Sequence, residues 1–330
     1  MKVALGQRIA EGPWGGGNQF VRALAEALAA RGDQVVFDLG DGDIDLVLIT
    51  DPRPRNPLVT FTPGAVARRL LRDPRPVVVH RINECDGRKG TTGMNRRLRR
   101  ANLVADHTVF IGSWLKGLAV WRHESPSSVI LNGADARVFH PRGQMPWDGS
   151  GPLKLVTHHW GGHALKGFDV YRTLDGLPGV EFTYVGNLPA GESLKRAVAP
   201  LAGDALADEL RRHHAYVTAS VNEPAGMHHI EGALCGLPLL YRDSGALPEY
   251  CDGFGERFSG PDDFPAALAR LKADYARHHA AMAGYPRTAQ HMAAGYLDLF
   301  DRLVADAPAI RARRRPWRDP LALAALQVPL

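Results

Sequence analysis

Two glutamates with seven residues between them, Glu223 and Glu231, bracket a loop that reads Pro224-Ala225-Gly226-Met227-His228 before His229 and Ile230. The apolar run Ala215 to Ala219 precedes the loop, and beyond Glu231 come Gly236-Leu237-Pro238 and a second apolar run, Leu239 to Tyr241. Strand, loop, helix and strand in that order set the loop at the carboxyl end of a parallel sheet, with Glu231 about a turn inside the helix. Carboxylates at two heights can grip different hydroxyls of one polyhydroxylated ligand. Between them the helix start at Gly226, Met227 and His228 offers unpaired N–H groups to an anion. The structural alternative has Glu223 capping the helix and Glu231 solvated; the density of Gly, Pro and His around them favours a ligand.

Lys166 is the candidate cation for such an anion. It follows His158-His159-Trp160-Gly161-Gly162-His163-Ala164-Leu165 and opens Gly167-Phe168-Asp169, so its charge can meet a diphosphate with few competing carboxylates. The apolar run Val180 to Val185 ends in Gly186 and Asn187, and Val77 to Val79 ends in His80, followed by a polar stretch from Arg81 to Gly90. A strand end so rich in acids, bases and amides makes a poor core and a good binding loop; a His80 satisfied by neighbouring backbone is the alternative. Near the amino terminus, Glu11 to Asn18, with Gly15, Gly16 and Gly17, separates an apolar strand, Lys2 to Leu5, from a helix of good formers, Phe20 to Ala30. Glycines there let the backbone approach a phosphate, or make a turn without a ligand. The spacing is not that of a dinucleotide fingerprint, so NAD is not expected.

The elements that carry these residues fit a chain of 330 residues, long enough for two cores. Further strands are expected at Gln34 to Phe37, Ile44 to Ile49, Leu58 to Phe61, His107 to Ile111, Ser128 to Leu131 and Leu153 to Thr157. Helical patterns cover Met94 to Leu103, with Arg96, Arg97, Arg99 and Arg100 on its exposed side, then Ser113 to Trp121, Ala205 to Arg212, Asp262 to Ala280 and Arg287 to Val304. The net charge of +5 is modest, and much of it could lie in a tail with Arg311, Arg313, Arg314, Arg315 and Arg318. Nucleic-acid binding lacks aromatic-basic interleaving or zinc-finger spacing. Neither His228-His229 with Glu231 nor His158, His159 and His163 has the spacing of a zinc site, so no metal is expected. The three scattered cysteines fit reduced thiols in the cytosol. No membrane-length apolar run or signal peptide is seen, so any membrane contact is expected to be peripheral.

The stretch from Glu223 through Glu231, Gly236-Leu237-Pro238 and Ser244-Gly245 resembles the C-terminal signature of the retaining glycosyltransferases of family 4. Other passages extend the resemblance over most of the chain: Gly15-Gly16, the strand and Ser113-Trp114-x-Lys116 segment, Asn132-Gly133-x-Asp135 with Phe139, and Lys166-Gly167. The resemblance implies the GT-B architecture, an α/β fold of two Rossmann-like domains facing across a cleft. The expected divisions are an acceptor-side domain at 1–141, a linker at 142–152, a nucleotide-sugar domain at 153–285, a terminal helix at 286–307 returning to the first domain, and a basic tail at 308–330. It also implies roles. Glu223 faces the donor sugar, Glu231 holds the nucleotide ribose, Lys166 meets the diphosphate, and His80 lies near the donor sugar. Gly15 and Gly16 lie against the donor phosphates and the acceptor, Gly186 and Asn187 near the base, with Asn132, Gly226, Met227 and His228 completing the donor side. The family's arginine upstream of the K-G pair is missing between Leu153 and Lys166; His158, His159 and His163 approach its position, and His158 is taken as a donor contact.

The implied activity is metal-independent, retaining transfer of a hexosyl group from a UDP- or GDP-linked sugar, without a further cofactor. The acceptor would be a saccharide or lipid-linked saccharide, in capsule, exopolysaccharide or lipopolysaccharide assembly, as for a subgroup from surface-polysaccharide clusters. The setting would be cytoplasmic, at the inner face of an anionic membrane. A nucleotide-sugar epimerase on the same fold, a transferase acting on a small secondary metabolite and a non-catalytic saccharide-binding protein are the competing readings.

Overall fold

The computed structural model describes residues 1–12, 15–123 and 125–314. They form two units: Met1–Asp86 with Thr91–Leu131 and the chain from Gln290, and Gly87–Gly90 with Asn132–Ala289.

The first unit begins with β1 (Lys2–Leu5), α1 (Gly16–Ala30), β2 (Gln34–Val36), β3 (Leu46–Ile49), α2 (Pro63–Arg72), β4 (Val77–Ile82), α3 (Met94–Ala101), β5 (His107–Phe110) and β6 (Ser127–Val129). Its six strands lie in the order β2-β1-β3-β4-β5-β6, every pair parallel. All residues of β3, β4 and β5 are buried, the mark of parallel strands covered on both faces. α1 buries Phe20, Val21, Leu24 and Leu28, one stripe of a helix at four-residue spacing. α2 starts at Pro63 because Thr62 caps it, its side-chain oxygen accepting from the Ala65 N–H at 3.2 Å.

The second unit contains β7 (Leu153–His159), α4 (Phe168–Asp175), β8 (Val180–Gly186), β9 (Ala197–Val198), α5 (Gly203–Arg211), β10 (Ala215–Thr218), α6 (His228–Leu234), β11 (Leu239–Arg242), α7 (Leu247–Cys251), β12 (Gly255–Phe258), α8 (Phe264–Ala273) and α9 (Tyr275–Ala281). The sheet order is β12-β11-β10-β7-β8-β9, again all parallel. This is the doubly wound order in which the chain builds outward from β7 to β9, then returns beside β7 with β10. The crevice between the ends of β7 and β10 is therefore the place where such a sheet takes a ligand. Leu155, Phe168, Tyr171, Phe182, Val217 and Leu271 pack in its core. The last helices, α10 (Ala289–Ala305) and α11 (Ala307–Arg313), supply Met292, Tyr296, Phe300 and Ile310 to the core of the first unit, where Tyr296 meets Phe20 edge-on at 5.1 Å.

Several expected elements differ. Leu58 to Phe61 is not a strand but makes a single antiparallel bridge, Gln7 with Val59; the Val59 N–H is spent on a turn to the Asn56 carbonyl at 3.0 Å. Ser113 to Trp121 holds only a 3-10 turn, Ser113–Gly117, after which Leu118 is extended. Met94 to Leu103 is helical as expected, but passes at Asn102 from α-helix to a 3-10 turn, Asn102–Val104, where the buried Asn102 side chain bonds Thr108 and the Arg122 N–H. On α3, Arg96 and Arg99 are exposed while Arg97 and Arg100 are half-buried. His80 lies inside β4 rather than at its end, since Arg81 and Ile82 keep pairing with Val109 and Phe110. Asp262 to Ala280 divides at Asp274 into α8 and α9. The tail arginines Arg315 and Arg318 lie outside the described residues. Among the described residues, no helix is long and apolar enough to cross a membrane.

Just beyond α11, Arg314 reaches back to the sheet. Its Nε donates to Asp106 at 3.0 Å, and its other nitrogens to the carbonyls of Pro74 and Pro76 at 2.7 and 2.9 Å. Asp106 also accepts from the Val78 N–H at 2.8 Å, so the pair ties the last helix to the start of β4. Removing one side of so buried a pair strands the other, and Arg314→Ala is expected to cost about 3 kcal/mol in urea unfolding. The exposed neighbour Arg313→Ala should stay within about 0.5 kcal/mol of wild type. Equal midpoint shifts for the two would contradict this clamp.

Candidate active site

The loops that follow β7 and β10 meet at the expected crevice, and they bring Lys166 and Glu223 together. Lys166 Nζ lies 2.7 Å from Glu223 Oε2, with side-chain exposures of 6% and 1%, so this is a buried ion pair. Lys166 ends a 3-10 turn, Ala164–Lys166, and Gly167 follows with φ 105°. The turn needs glycine, because a β-carbon on Gly167 would lie 2.3 Å from that of Ala219 at the end of β10.

Glu223 is held from the other side by the Ser244-Gly245 pair. Ser244 Oγ accepts from the Asn222 N–H at 2.8 Å, and the Ala246 N–H donates to the Glu223 carbonyl at 2.9 Å. Gly245, at φ 64°, lies so close that a β-carbon there would sit 2.3 Å from the Glu223 carbonyl oxygen. The loop itself is strained at Ala225, which has φ 147°, while Asn222, at φ 51°, takes the left-handed conformation that asparagine tolerates. Asn132 braces it by donating its side-chain amide to the Ala225 carbonyl at 3.0 Å, while its own N–H bonds Tyr250 Oη at 2.7 Å.

Glu231 stands in the first turn of α6 and is 3% exposed. Its Oε2 lies 2.6 Å from His158 Nε2, and its Oε1 has no hydrogen-bond partner among the described residues. His228 bonds Thr218 Oγ1 at 2.8 Å. Met227 and Gly226 complete the same loop, where a β-carbon on Gly226 would strike the His228 ring. Gly186 ends β8 against the His159 carbonyl with no room for a side chain, and the exposed Asn187 donates to the Trp160 carbonyl at 2.7 Å. Asn132, His158, Lys166, Gly186, Asn187, Glu223, Gly226, Met227, His228 and Glu231 thus share the second unit.

His80, Gly15 and Gly16 belong to the first unit. His80 is fully buried, with Nδ1 3.2 Å from the Asn102 amide nitrogen and Nε2 without a hydrogen-bond partner among the described residues. Gly15 caps α1 in an extended conformation. Earlier in the chain, Ala10 is held by Asn18, whose buried amide bonds both its N–H and its carbonyl, at 2.8 and 2.9 Å. Sequence reasoning passed over Asn18, Ser244 as a clamp, and above all Arg88. Arg88 Nε lies 3.5 Å from Glu223 Oε1. The polar stretch after β4 marked Arg88 as a loop base, but nothing in a linear sequence pairs it with a carboxylate 135 positions away.

The electrostatics follow from burial. Burial by itself raises the Glu223 carboxyl, but the charges of Lys166 and Arg88 outweigh it and hold Glu223 well below the usual carboxylate range. The histidines around the pair are kept neutral. Burial, and then the Lys166 charge, pulls His163 down to about 4, and burial lowers His159 and His228 well below their ordinary value. A buried cation, two buried carboxylates and uncharged imidazoles make a site that can exchange an internal ion pair for contacts to a charged, hydroxyl-rich ligand. Among the described residues no group of three or more His, Cys, Asp or Glu is arranged to hold a metal ion.

No protein-family model matches the sequence, and no curated protein does. Among solved structures the chain is similar to a sucrose-phosphate synthase from Thermosynechococcus elongatus, with 17% identity and TM-score 0.63 over 92% of this chain and 99% of that one. It is similar to HepE of Anabaena, solved with UDP and glucose, at 15% identity and TM-score 0.59 over 93% and 99%. The catalytic domain of starch synthase IV from Arabidopsis thaliana, bound to ADP and acarbose, gives 12% identity and TM-score 0.66 over 92% and 99%. At these identities the likeness is one of fold: the chain has the GT-B fold, with two Rossmann-like domains, as its sequence led us to expect.

Acid should weaken the protein through its buried imidazoles. His80 and His229, both fully buried, are pushed down to about 3 by burial. A folded value below the unfolded one means that the unfolded chain takes up the proton first, so stability is whole above about pH 6.5 and is lost as pH falls toward 3. Between about pH 6.5 and pH 5 each such histidine withdraws about 2 kcal/mol. Glu223 opposes nothing in that window, since its depressed value acts only below its ordinary 4.5. The melting temperature at pH 5 should therefore fall clearly below that at pH 7.5, and a flat profile would contradict neutral burial.

Proposed function

We propose that the protein is a metal-independent, retaining glycosyltransferase of family 4 that moves a hexosyl group from a nucleotide-diphosphate sugar to a saccharide hydroxyl. The observation that carries this reading is the convergence of Lys166, Glu223 and Glu231, all buried, at the switch point of the second unit's sheet. The fold neighbours bear on the donor class, since one was solved with UDP and glucose and another with ADP and acarbose. UDP or GDP is the donor nucleotide we assign, with no further cofactor. The donor role would fall to the second unit, which takes in the expected 153–285 together with 132–152, and the acceptor role to the first, which takes in 1–86, 91–131 and the expected returning helix at 286–307 from Gln290 on.

In this reading Lys166 leaves Glu223 for the diphosphate, Glu223 turns to the sugar hydroxyls, and Glu231 takes the ribose. Gly186 and Asn187 border the base. Asn132, His158, Gly226, Met227 and His228 shape the donor side, while His80, Gly15 and Gly16 keep the roles the resemblance implies. The acceptor oxygen bonds the anomeric carbon on the face from which the diphosphate oxygen departs, and the acceptor proton passes to the leaving phosphate. The anomeric centre is oxocarbenium-like in between. Lys166 stabilises the charge growing on the phosphate, and the chain's main contribution is orientation. Glu223 is not assigned as a covalent nucleophile. The preferred acceptor is a lipid-linked saccharide of capsule, exopolysaccharide or lipopolysaccharide assembly, met at the inner membrane face, where the exposed Arg96 and Arg99 favour an anionic surface.

Mass spectrometry of reactions with each nucleotide sugar, first alone and then with an acceptor library that includes lipid-linked saccharides, tests the reading. Transfer should fall by about a hundredfold or more in Lys166→Ala and Glu223→Ala, with both variants folded. NMR of the product should show the donor's anomeric configuration. Transfer retained in both variants would overturn the site, acceptor-free isomerisation would select an epimerase, and an inverted product would overturn retention.

A further inference from the structure

Glu231 is oriented by an internal relay that no motif announces. Its Oε2 meets His158 Nε2 at 2.6 Å, both side chains being buried. On the far side of the imidazole lies Tyr216, on β10, with its hydroxyl 3.1 Å from His158 Nδ1. The same hydroxyl accepts from the His158 N–H at 3.0 Å. A hydroxyl that already accepts a backbone N–H has its own proton to give, and Nδ1 lies within reach of it. When Nδ1 accepts from that hydroxyl, the ring hydrogen on Nε2 donates to the Glu231 carboxylate. The chain of contacts runs from Tyr216 through His158 to Glu231.

The Tyr216 ring has no freedom to leave. It is fully buried beneath α6, where a β-carbon on Gly232 would lie 2.3 Å from it, and its plane stands at 79° to the His158 ring. The far oxygen of Glu231 is the complement of this arrangement: buried, without a partner among the described residues, and fixed in direction because its twin is held. A carboxylate free to rotate would present a hydroxyl-bearing ligand with many geometries, whereas one pinned through a single oxygen presents one acceptor at one place.

We infer that His158 and Tyr216 are positioning residues for nucleotide recognition: together they pin Glu231 so that its unpartnered oxygen selects a ribose over a deoxyribose. The inference rests on the donor reading above, in which Glu231 faces the ribose, and it adds a source of discrimination between ribose and deoxyribose ligands. In it His158 acts on the donor through Glu231.

The test is a ratio, because a merely structural role would lower all affinities together. Calorimetry on the full chain would compare whichever of UDP, GDP and ADP binds best with its 2′-deoxy and 3′-deoxy forms. A hydrogen bond to a carboxylate should give wild type a preference of about tenfold or more for the ribonucleotide over at least one deoxy form. His158→Ala and the milder Tyr216→Phe should bring that ratio close to one, while His158→Gln, whose amide can still donate to Glu231, should keep most of it. Ribo and deoxy affinities that fall equally in His158→Ala and Tyr216→Phe, leaving the ratio intact, would overturn the relay. Glu231→Gln separates the two levels. If it loses the preference while the relay variants keep it, only the relay is wrong. If Glu231→Gln keeps the full preference, or if wild type binds no nucleotide, the donor reading fails and takes the relay with it.

Discussion

The buried pair between Lys166 and Glu223 is the constraint on which the second unit's functional end depends. Each charge taken out of water carries a penalty of several kcal/mol, which the attraction offsets only when the geometry is fixed. That requirement explains why so much backbone converges here. The two loops must come from strands adjacent in space yet distant in sequence, and β7 and β10 are such a pair because the winding of the sheet reverses between them. Gly167 lets the Lys166 turn approach β10, and Ser244 with Gly245 holds the Glu223 backbone from below. The strained Ala225 is tolerated because Asn132 and the clamps around it determine its position.

The same burial sets the chemical character of the site. Histidines crowd the pair, and deprived of water they remain neutral, so the local field comes from Lys166 and Arg88 against Glu223 and Glu231. His158, between Tyr216 and Glu231, makes a contact through each of its ring nitrogens. Charges are thus few, close and directed. A site of this kind suits a ligand with a diphosphate at one end and hydroxyls along its length.

Much of the fold was legible because parallel strands buried on both faces read as unbroken apolar runs. Leu46–Ile49, Val77–Val79 and Leu239–Tyr241 could hardly be anything else. Elements settled by context were not legible. Leu58 to Phe61 is as apolar as a strand, yet Asn56 captures the Val59 N–H in a turn. α2, capped by Thr62, was overlooked because its opening Pro63-Gly64 and its three arginines read as a polar connection, and β12 because Gly255–Phe258 is half polar. At the site, the motif spacing identified the glutamates and the lysine as residues for a ligand. It could not tell that they bond one another, because a motif reports position along the chain and not which charge neutralises which. Nor could it separate residues that meet a ligand from those that hold the loop: Gly245 and Asn132 have plain structural work in the protein.

A double-mutant cycle on Lys166 and Glu223, read by equilibrium unfolding, tests the central claim directly. If the two form one buried pair, Lys166→Met and Glu223→Gln should each cost about 3–5 kcal/mol, because each takes the nearer opposite charge from the other, Arg88 standing farther off at 3.5 Å. The double variant, which removes both charges of the pair and leaves only the more exposed Arg88 beside the site, should then be no less stable than the weaker single variant. Single losses that add in the double variant would contradict the account, for they would mean that the two charges are held independently and that the site is not built on their pairing.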